Sequence, residues 1–471
     1  MAYGTYLVVA RTGTLNALAA KIAAAIGTDR GDPLVAVGAR RALVVPQVAE
    51  ALAAARPDLT LGEYLAILGA QSVEALDDAR IASLIGFRDG PELTLERSTP
   101  RKMSGGGYDW HLAAVRLPQA WKEVRGAPGN IDWEGIQVGQ IDTGYTENPC
   151  LGWASHASAV VNTRDDRNFF TPELSGDPDP FVAGNRDPLS ALDPLTGPNG
   201  GHGTRTASIL AGFDESPAAK KLPGTGGKVR GFYGAAPKVP YVPIRLSNCV
   251  MIDNMVRELG DALEYLLEQV RCQVITLSMG AAPALRLPRK MRDMIDRAYE
   301  RGVIVCCAAG NYVPFVTAPA SSPRTIAVAG SAPGDRPWNG SSFGRYADIA
   351  APGWPVRRAN TLAEGAFEYG YGEGTSYATP QVSGTAALWL AKHGSALDKA
   401  YAQPWMRVAA FLQIVTSTAR KPPLWDTGRY GAGILDAASV LQATLPPAAA
   451  LRRDDEPHFV DYPAVAEPSY A

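Results

Sequence analysis

Between residues 108 and 445, short apolar runs alternate with longer stretches in which apolar positions recur every three or four residues. The runs IQVGQIDTG, YVPIRL, QVITLSMG, VIVCCAAGN, TIAVAGS and ADIAAPG predict strands. They are apolar nearly throughout, the pattern of strands covered on both faces. TRTASILAGF, VRELGDALEYLLEQV, LPRKMRDMIDRAYERG and ATPQVSGTAALWLAKHG predict helices between or after them. Such alternation predicts an α/β fold with a mostly parallel central sheet between helical layers. Function in these sheets gathers at the C-terminal strand ends. Three of the runs end in small or polar residues there: Asp142-Thr143-Gly144, Ser278-Met279-Gly280 and Ala309-Gly310-Asn311.

The pattern changes before and after this region. Residues 1–100 hold shorter runs, in the order strand, helix, strand, strand, helix, strand, and predict a small α+β unit. Residues 101–107, in the basic and glycine-rich TPRKMSGGGYD, predict an exposed linker. Residues 446–471 are rich in Pro and charge and predict a disordered tail. The net charge of −2 over 471 residues gives no electrostatic reason to expect nucleic acid or an anionic membrane as partner. The first residues lack the basic n-region and unbroken apolar core of a secretion signal, which leads to the expectation of a cytoplasmic protein. Five cysteines at irregular spacing form no disulfide framework. The adjacent Cys306 and Cys307 are expected to be buried on opposite faces of a strand.

The candidate chemistry centres on Ser376. It lies in YGEGTSYATP, among very small residues and just before a helical pattern. Pro380 places the helix start close to the serine, since proline suits a first turn. A serine there is either a plain N-cap or a nucleophile exposed beside the positive helix end. A nucleophile needs a base. Of the histidines, His202 is flanked by glycines in GPNGGHGTRTAS and opens a helix; His111, His156, His393 and His458 lack such a setting. The base needs an orienting carboxylate, and Asp142 ends the strand IQVGQID. Each residue alone also has a structural reading, as a cap, a glycine-turn histidine or a turn aspartate.

Together, Asp-Thr-Gly, His-Gly-Thr and Gly-Thr-Ser-Tyr-Ala-Thr-Pro follow the Asp…His…Ser order of a subtilisin-type triad. The chain resembles the subtilase superfamily of serine endopeptidases from about residue 108 to 440. YDWHLAAVRLPQAW, GAAPKVPYVPIRL, SSFGRYADIAAPG and YGAGILDAASVL extend the likeness. The resemblance implies a subtilisin-like three-layer fold and peptide-bond hydrolysis through an acyl-enzyme. It makes Ser376 the nucleophile, His202 the base, Asp142 its orienting partner and Asn311 an oxyanion donor. It also implies that Ser278, Met279 and Gly280 face Ala308, Ala309 and Gly310 across the specificity pocket. Neither stretch is charged, so an apolar or small residue is expected before the cut. Tyr377 stands where methionine is common, and neither it nor Gln381 is expected to touch the proton relay. No cofactor is required; structural calcium is possible, with no ligands assigned. A polypeptide is the expected partner. By position, residues 1–100 resemble an inhibitory pro-domain that binds the cleft in cis, with Leu93–Arg97 as the inserted strand; a docking module is the alternative. A dedicated processing peptidase and an inactive scaffold are further alternatives.

Overall fold

A computed structural model of the chain describes residues 5–11, 15–27, 34–36, 40–76, 80–81, 84, 108–124, 128–171, 187–221, 229–282, 288–363 and 365–454. The segment Leu93–Arg97 and the linker 101–107 lie outside these residues, as does much of the Asp- and Pro-rich stretch between Asp142 and His202.

All the strand-like runs of the large region form strands of one eight-stranded sheet. Val274–Leu277 and Val138–Asp142 sit side by side near its middle, flanked by Ile304–Ala308 and Tyr241–Arg245. Ile326–Ala332 and Ile349–Pro352 continue it on one side, and Arg167–Asn168 closes the other. Every one of these pairings is parallel. The short Arg336–Pro337 adds an antiparallel edge beside Ile326–Ala332. Leu277 lies level with both Ile141 and Cys307, so the loops carrying Thr143, Ser278 and Asn311 leave the sheet together. The central strands are buried along their whole length, as near-continuous apolar runs predict, and the polar Gln140, Asp142 and Thr276 are buried with them.

Helices His202–Ala211 and Thr375–Ala400 pack against each other and against the sheet. Both are apolar or small nearly all round where they cross the core, and residues 202–211 and 375–390 are buried throughout. Pro380 lies inside the helix Thr375–Ala400 rather than in its first turn. Its ring leaves the Ser376 carbonyl without an i+4 amide, and the Ser278 hydroxyl donates to that carbonyl instead, at 3.0 Å. The adjacent cysteines of VIVCCAAGN are both buried, and burial pushes the Cys306 thiol up to about 12. All five cysteines are buried and none is in a disulfide.

Two elements depart from the sequence reading. Val356–Ala363 and Ala366–Gly372 form a long hairpin lying against the histidine helix. The expected tail begins late: Leu451 is buried, and the Asp454 amide donates to the Tyr299 hydroxyl at 3.1 Å.

The N-terminal unit is a four-stranded antiparallel sheet, in the order Val35–Ala36, Arg41–Val44, Thr5–Ala10, Ala70–Leu76, with helices Leu15–Ala25, Pro46–Ala55 and Leu61–Leu68 on one face. Alternation sorts its strands. Val8, Ala10, Ala42 and Val44 face the unit's own helices. Leu7, Leu43 and Leu76 face the other way, where they join Cys249, Val250, Met251 and Val313 of the large region in one apolar cluster. Polar ties frame that contact. The Thr5 amide donates to Asn254 Oδ1 (2.9 Å), Asn254 Nδ2 donates to Leu76 O (3.2 Å), and Arg257 pairs with Glu50 at 2.7 Å.

Candidate active site

The site grows from two turns that press together. Asp142 is the last residue of its strand, and Gly144 follows it with φ at +102°. A Cβ on Gly144 would stand 2.1 Å from Ala191 O, and one on Gly203 would stand 1.9 Å from Gly144 O. Only glycine permits that approach, which explains the third residue of Asp-Thr-Gly and the second of His-Gly-Thr. Asp193 clamps the same junction. Its Oδ2 accepts from the Thr143 hydroxyl (2.6 Å) and from the Gly201 amide (2.7 Å), while burial raises its carboxyl above the usual range. Nothing in the sequence reading singled out Asp193.

The clamp sets Asp142 against His202. His202 Nδ1 donates to Asp142 Oδ1 at 2.6 Å, with both side chains buried. The same oxygen accepts the Thr143 amide at 2.8 Å, and Oδ2 accepts the Thr206 hydroxyl at 2.9 Å. Thr206 is held by Gln140 Nε2 at 2.7 Å, and Gln140 Nε2 also donates to Gly203 O at 2.8 Å. An imidazole donating from Nδ1 carries its basic lone pair on Nε2, the form a general base needs.

Ser376 is the second residue of its helix, and its hydroxyl donates to Ser278 O at 3.2 Å. Asn311 stands beside it. Asn311 Oδ1 accepts both the Thr375 amide and the Thr375 hydroxyl, each at 2.8 Å, which ties the amide oxygen to the helix start and turns the Nδ2 donors to the other side. An amide donor next to a serine hydroxyl at a helix N-terminus is suited to holding a developing oxyanion. Asp142, His202, Asn311 and Ser376 are therefore brought to one place, and none is more than 3% exposed in the full chain.

The two expected pocket walls also face each other. Ser278–Gly280 and Ala308–Gly310 leave adjacent strands, and Thr317 stands between them. A Cβ on Gly280 would lie 2.5 Å from Thr317 Oγ1, and one on Gly310 would lie 2.6 Å from Thr317 Cγ2. Thr317 is wholly buried and its hydroxyl lies 3.3 Å from the carbonyls of both Ala308 and Ala309. Met279 is buried.

The edge of the first wall is occupied. Ala281 exchanges both backbone bonds with Ala318 on one side. Alternation turns Ser278 O and both groups of Gly280 to the other side. There, the Gly280 amide donates to Val250 O and its carbonyl accepts from the Ile252 amide, both at 3.0 Å.

Tyr377 modifies the sequence reading: its ring lies near-parallel beside the His202 imidazole, 6.3 Å between centroids and 21° between planes. Gln381 does not bond the relay: its Nε2 donates to Pro352 O and Tyr377 O, both at 2.8 Å. His111 is buried elsewhere, and burial pushes its imidazole down to about 4. Among the described residues no group of three or more His, Cys, Asp or Glu could hold a metal ion. Nor is any described helix long and apolar enough to cross a membrane.

Residues 134–433 match the family model described as the subtilase family. An extracellular protease of Xanthomonas campestris pv. campestris is 26% identical over 353 residues, covering 71% of this chain and 54% of that protein. A thermophilic serine proteinase of Bacillus sp. (strain AK1) is 28% identical over 270 residues, covering 57% of this chain and 60% of that one. The chain thus spans only somewhat more than half the length of these relatives. A solved protease of Pseudoalteromonas arctica PAMC 21717 shares the fold, with a TM-score of 0.52 at 22% identity over 71% of this chain and 96% of that one. With the family model spanning well over half of its length and a mostly parallel sheet of the same architecture, this chain belongs to the subtilase family.

Proposed function

We propose that the protein is a serine endopeptidase in which Ser376 attacks the peptide carbonyl, His202 takes its proton, and Asp142 steadies the imidazolium. The observation that carries this is the 2.6 Å bond from His202 Nδ1 to a buried Asp142, at the same strand ends that present Ser376 and Asn311. For attack the hydroxyl leaves Ser278 O and turns to the base. Attack forms the C–O bond and a tetrahedral oxyanion, held by Asn311 Nδ2 and the Ser376 amide. Collapse passes the proton from His202 to the departing amine and leaves an acyl-enzyme, which water cleaves by the reverse sequence.

Asn311→Ala is expected to lower turnover about 100- to 1,000-fold with little change in KM. It also removes the acceptor of the Thr375 amide and loosens the helix start by about 1–3 kcal/mol. Asn311→Asp keeps that acceptor and removes the donor, so a comparable loss of turnover in a chain of wild-type melting temperature separates the two effects. Turnover unchanged in both variants would remove Asn311 from the oxyanion site. Thr317 between the pocket walls supports a small residue before the cut.

In this reading the N-terminal unit restrains the peptidase. Two features support it: the catalytic imidazole is fully buried, and Val250–Ile252 takes the Gly280 edge that a substrate strand would use. Leu7, Leu43 and Leu76 pack on that same Cys249–Met251 segment. Leu43→Asp puts a charge into this contact and spares the unit's own core; burying it costs several kcal/mol, about a hundredfold or more in docking. Hydrolysis of peptides with four or more residues before the cut is expected to rise at least tenfold in the Leu43→Asp chain, checked by initial rates beside the wild-type chain. Equal rates in two folded chains would make the unit a docking module instead.

A further inference from the structure

We propose that Tyr377 is a positioning residue for the general base: its ring, parallel to the His202 imidazole, holds that imidazole in line between Asp142 and Ser376 and favours its protonated state. The proposal deepens the peptidase reading and rests on it.

The ring is fixed from every side. Tyr377 is 3% exposed and forms a separate apolar cluster with Ile209 of the histidine helix and Val356 of the hairpin. Its phenol end lies against Gly372, where a Cβ would stand 2.5 Å from Cε2 and 3.1 Å from the hydroxyl oxygen. Gly372 is therefore a glycine for the sake of this ring. The backbone at Tyr377 is equally fixed, because its amide donates to Gly374 O at 3.0 Å and its carbonyl accepts Gln381 Nε2. A rigid aromatic plane facing an imidazole resists rotation about the bond that joins the imidazole to its chain. The Asp142 bond alone fixes one ring nitrogen and leaves that rotation to be limited by neighbours.

The proposed electronic effect follows from charge. When His202 takes the serine proton it becomes a cation beside Asp142 and Tyr377. The negative face of an aromatic ring stabilises a cation near the limit of its reach, about 6 Å, by about 0.5–1 kcal/mol. Other charges around the imidazole are already committed. Asp142 on the central strand accepts its Nδ1 proton. Asp193 is spent on Thr143, Leu195 and Gly201. Arg205, on the same helix, reaches Gly200 O and Asn360 Oδ1. From the hairpin, Arg357 pairs with Asp109 and Arg358 with Glu368. Tyr377 is thus the group whose exchange for an aliphatic residue changes the cation's surroundings without changing a formal charge.

The test is the pH profile of kcat/KM for the full chain carrying Tyr377→Phe, Tyr377→Leu or Tyr377→Met, with a peptide substrate. Leu and Met fill space without a ring. Both are expected to lower kcat about tenfold. Their acid limb should move to lower pH by roughly half a unit, because an imidazolium that loses the ring gives up its proton more readily. KM should change little, and Tyr377→Phe should restore the wild-type acid limb. Unshifted acid limbs in Leu and Met, with melting temperatures near wild type, would overturn the proposal. So would a Phe variant that behaves like Leu, since the ring would then not be the active feature. Should Leu and Met fail to fold, Gly372→Ala displaces the ring while keeping it, and a wild-type profile there would count equally against the proposal. A wild-type chain without activity would instead strike at the peptidase reading, which separates the two failures.

Discussion

Ser376→Ala is expected to abolish peptide hydrolysis, with a loss on the order of a million-fold in turnover. The neighbouring hydroxyl at that helix start, on Thr375, is engaged by Gly310 and Asn311. The substitution should leave the fold intact, because the Ser376 carbonyl still accepts the Ser278 hydroxyl and the hydroxyl removed gives up its bond to Ser278 O. The measurement is the initial rate on a peptide library, wild type beside variant, with melting temperatures for both. A variant retaining more than about a thousandth of the wild-type rate would move the nucleophile elsewhere.

Asp142→Asn carries the second largest effect, a fall of about ten-thousand-fold in kcat. The geometry says how it arises. An asparagine can keep its oxygen toward the Thr143 amide and His202 Nδ1, and turn its amide nitrogen to Thr206 Oγ1. That hydroxyl can then point to Gly203 O, 3.1 Å away. Packing survives and the negative charge does not, so the imidazolium formed during attack loses its counter-ion. The opposite amide orientation sets two N–H groups against the Thr143 amide and the Nδ1 proton, and forces the wrong tautomer. Both routes lower kcat while leaving KM near its starting value. A variant within tenfold of wild type would show that Asp142 is not the orienting carboxylate.

Much of the architecture was legible because central parallel strands announce themselves. Val274–Leu277 and Ile304–Ala308 are apolar at every position but Thr276, and a strand covered on both faces buries such a run. The approach of Asp142 to His202 was legible through the glycines beside them, whose positions the structure explains by backbone contacts that admit no side chain. The hairpin Val356–Ala363 was less visible, because VRRANTLA places two arginines and an asparagine where the structure buries all three. The Arg357 charge is met by a partner distant in sequence, Asp109, 248 positions away. The helix Leu61–Leu68 did carry a local signal, the Thr60–Glu63 capping box, which an apolar-run reading passes over. The helix does begin beside Ser376, but Pro380 lies beyond its first turn for a tertiary reason, since the hydrogen bond it forfeits is supplied by Ser278 from another strand end. Tyr377 lies beside His202 with its phenol end against Gly372 of the hairpin, and no spacing between 202 and 377 encodes that.

The central claim is that Ser376 is a nucleophile activated by His202 and Asp142. A fluorophosphonate reacts covalently with such a serine and not with an unactivated one. The measurement is intact mass followed by peptide mapping of the wild-type, Leu43→Asp, Ser376→Ala and Asp142→Asn chains after exposure to the probe. The account predicts one adduct, located on Ser376, fastest in Leu43→Asp, strongly slowed in Asp142→Asn and absent from Ser376→Ala. An adduct on another residue, equal labelling of the Ser376→Ala chain, or no adduct in either chain that keeps the full triad would contradict it.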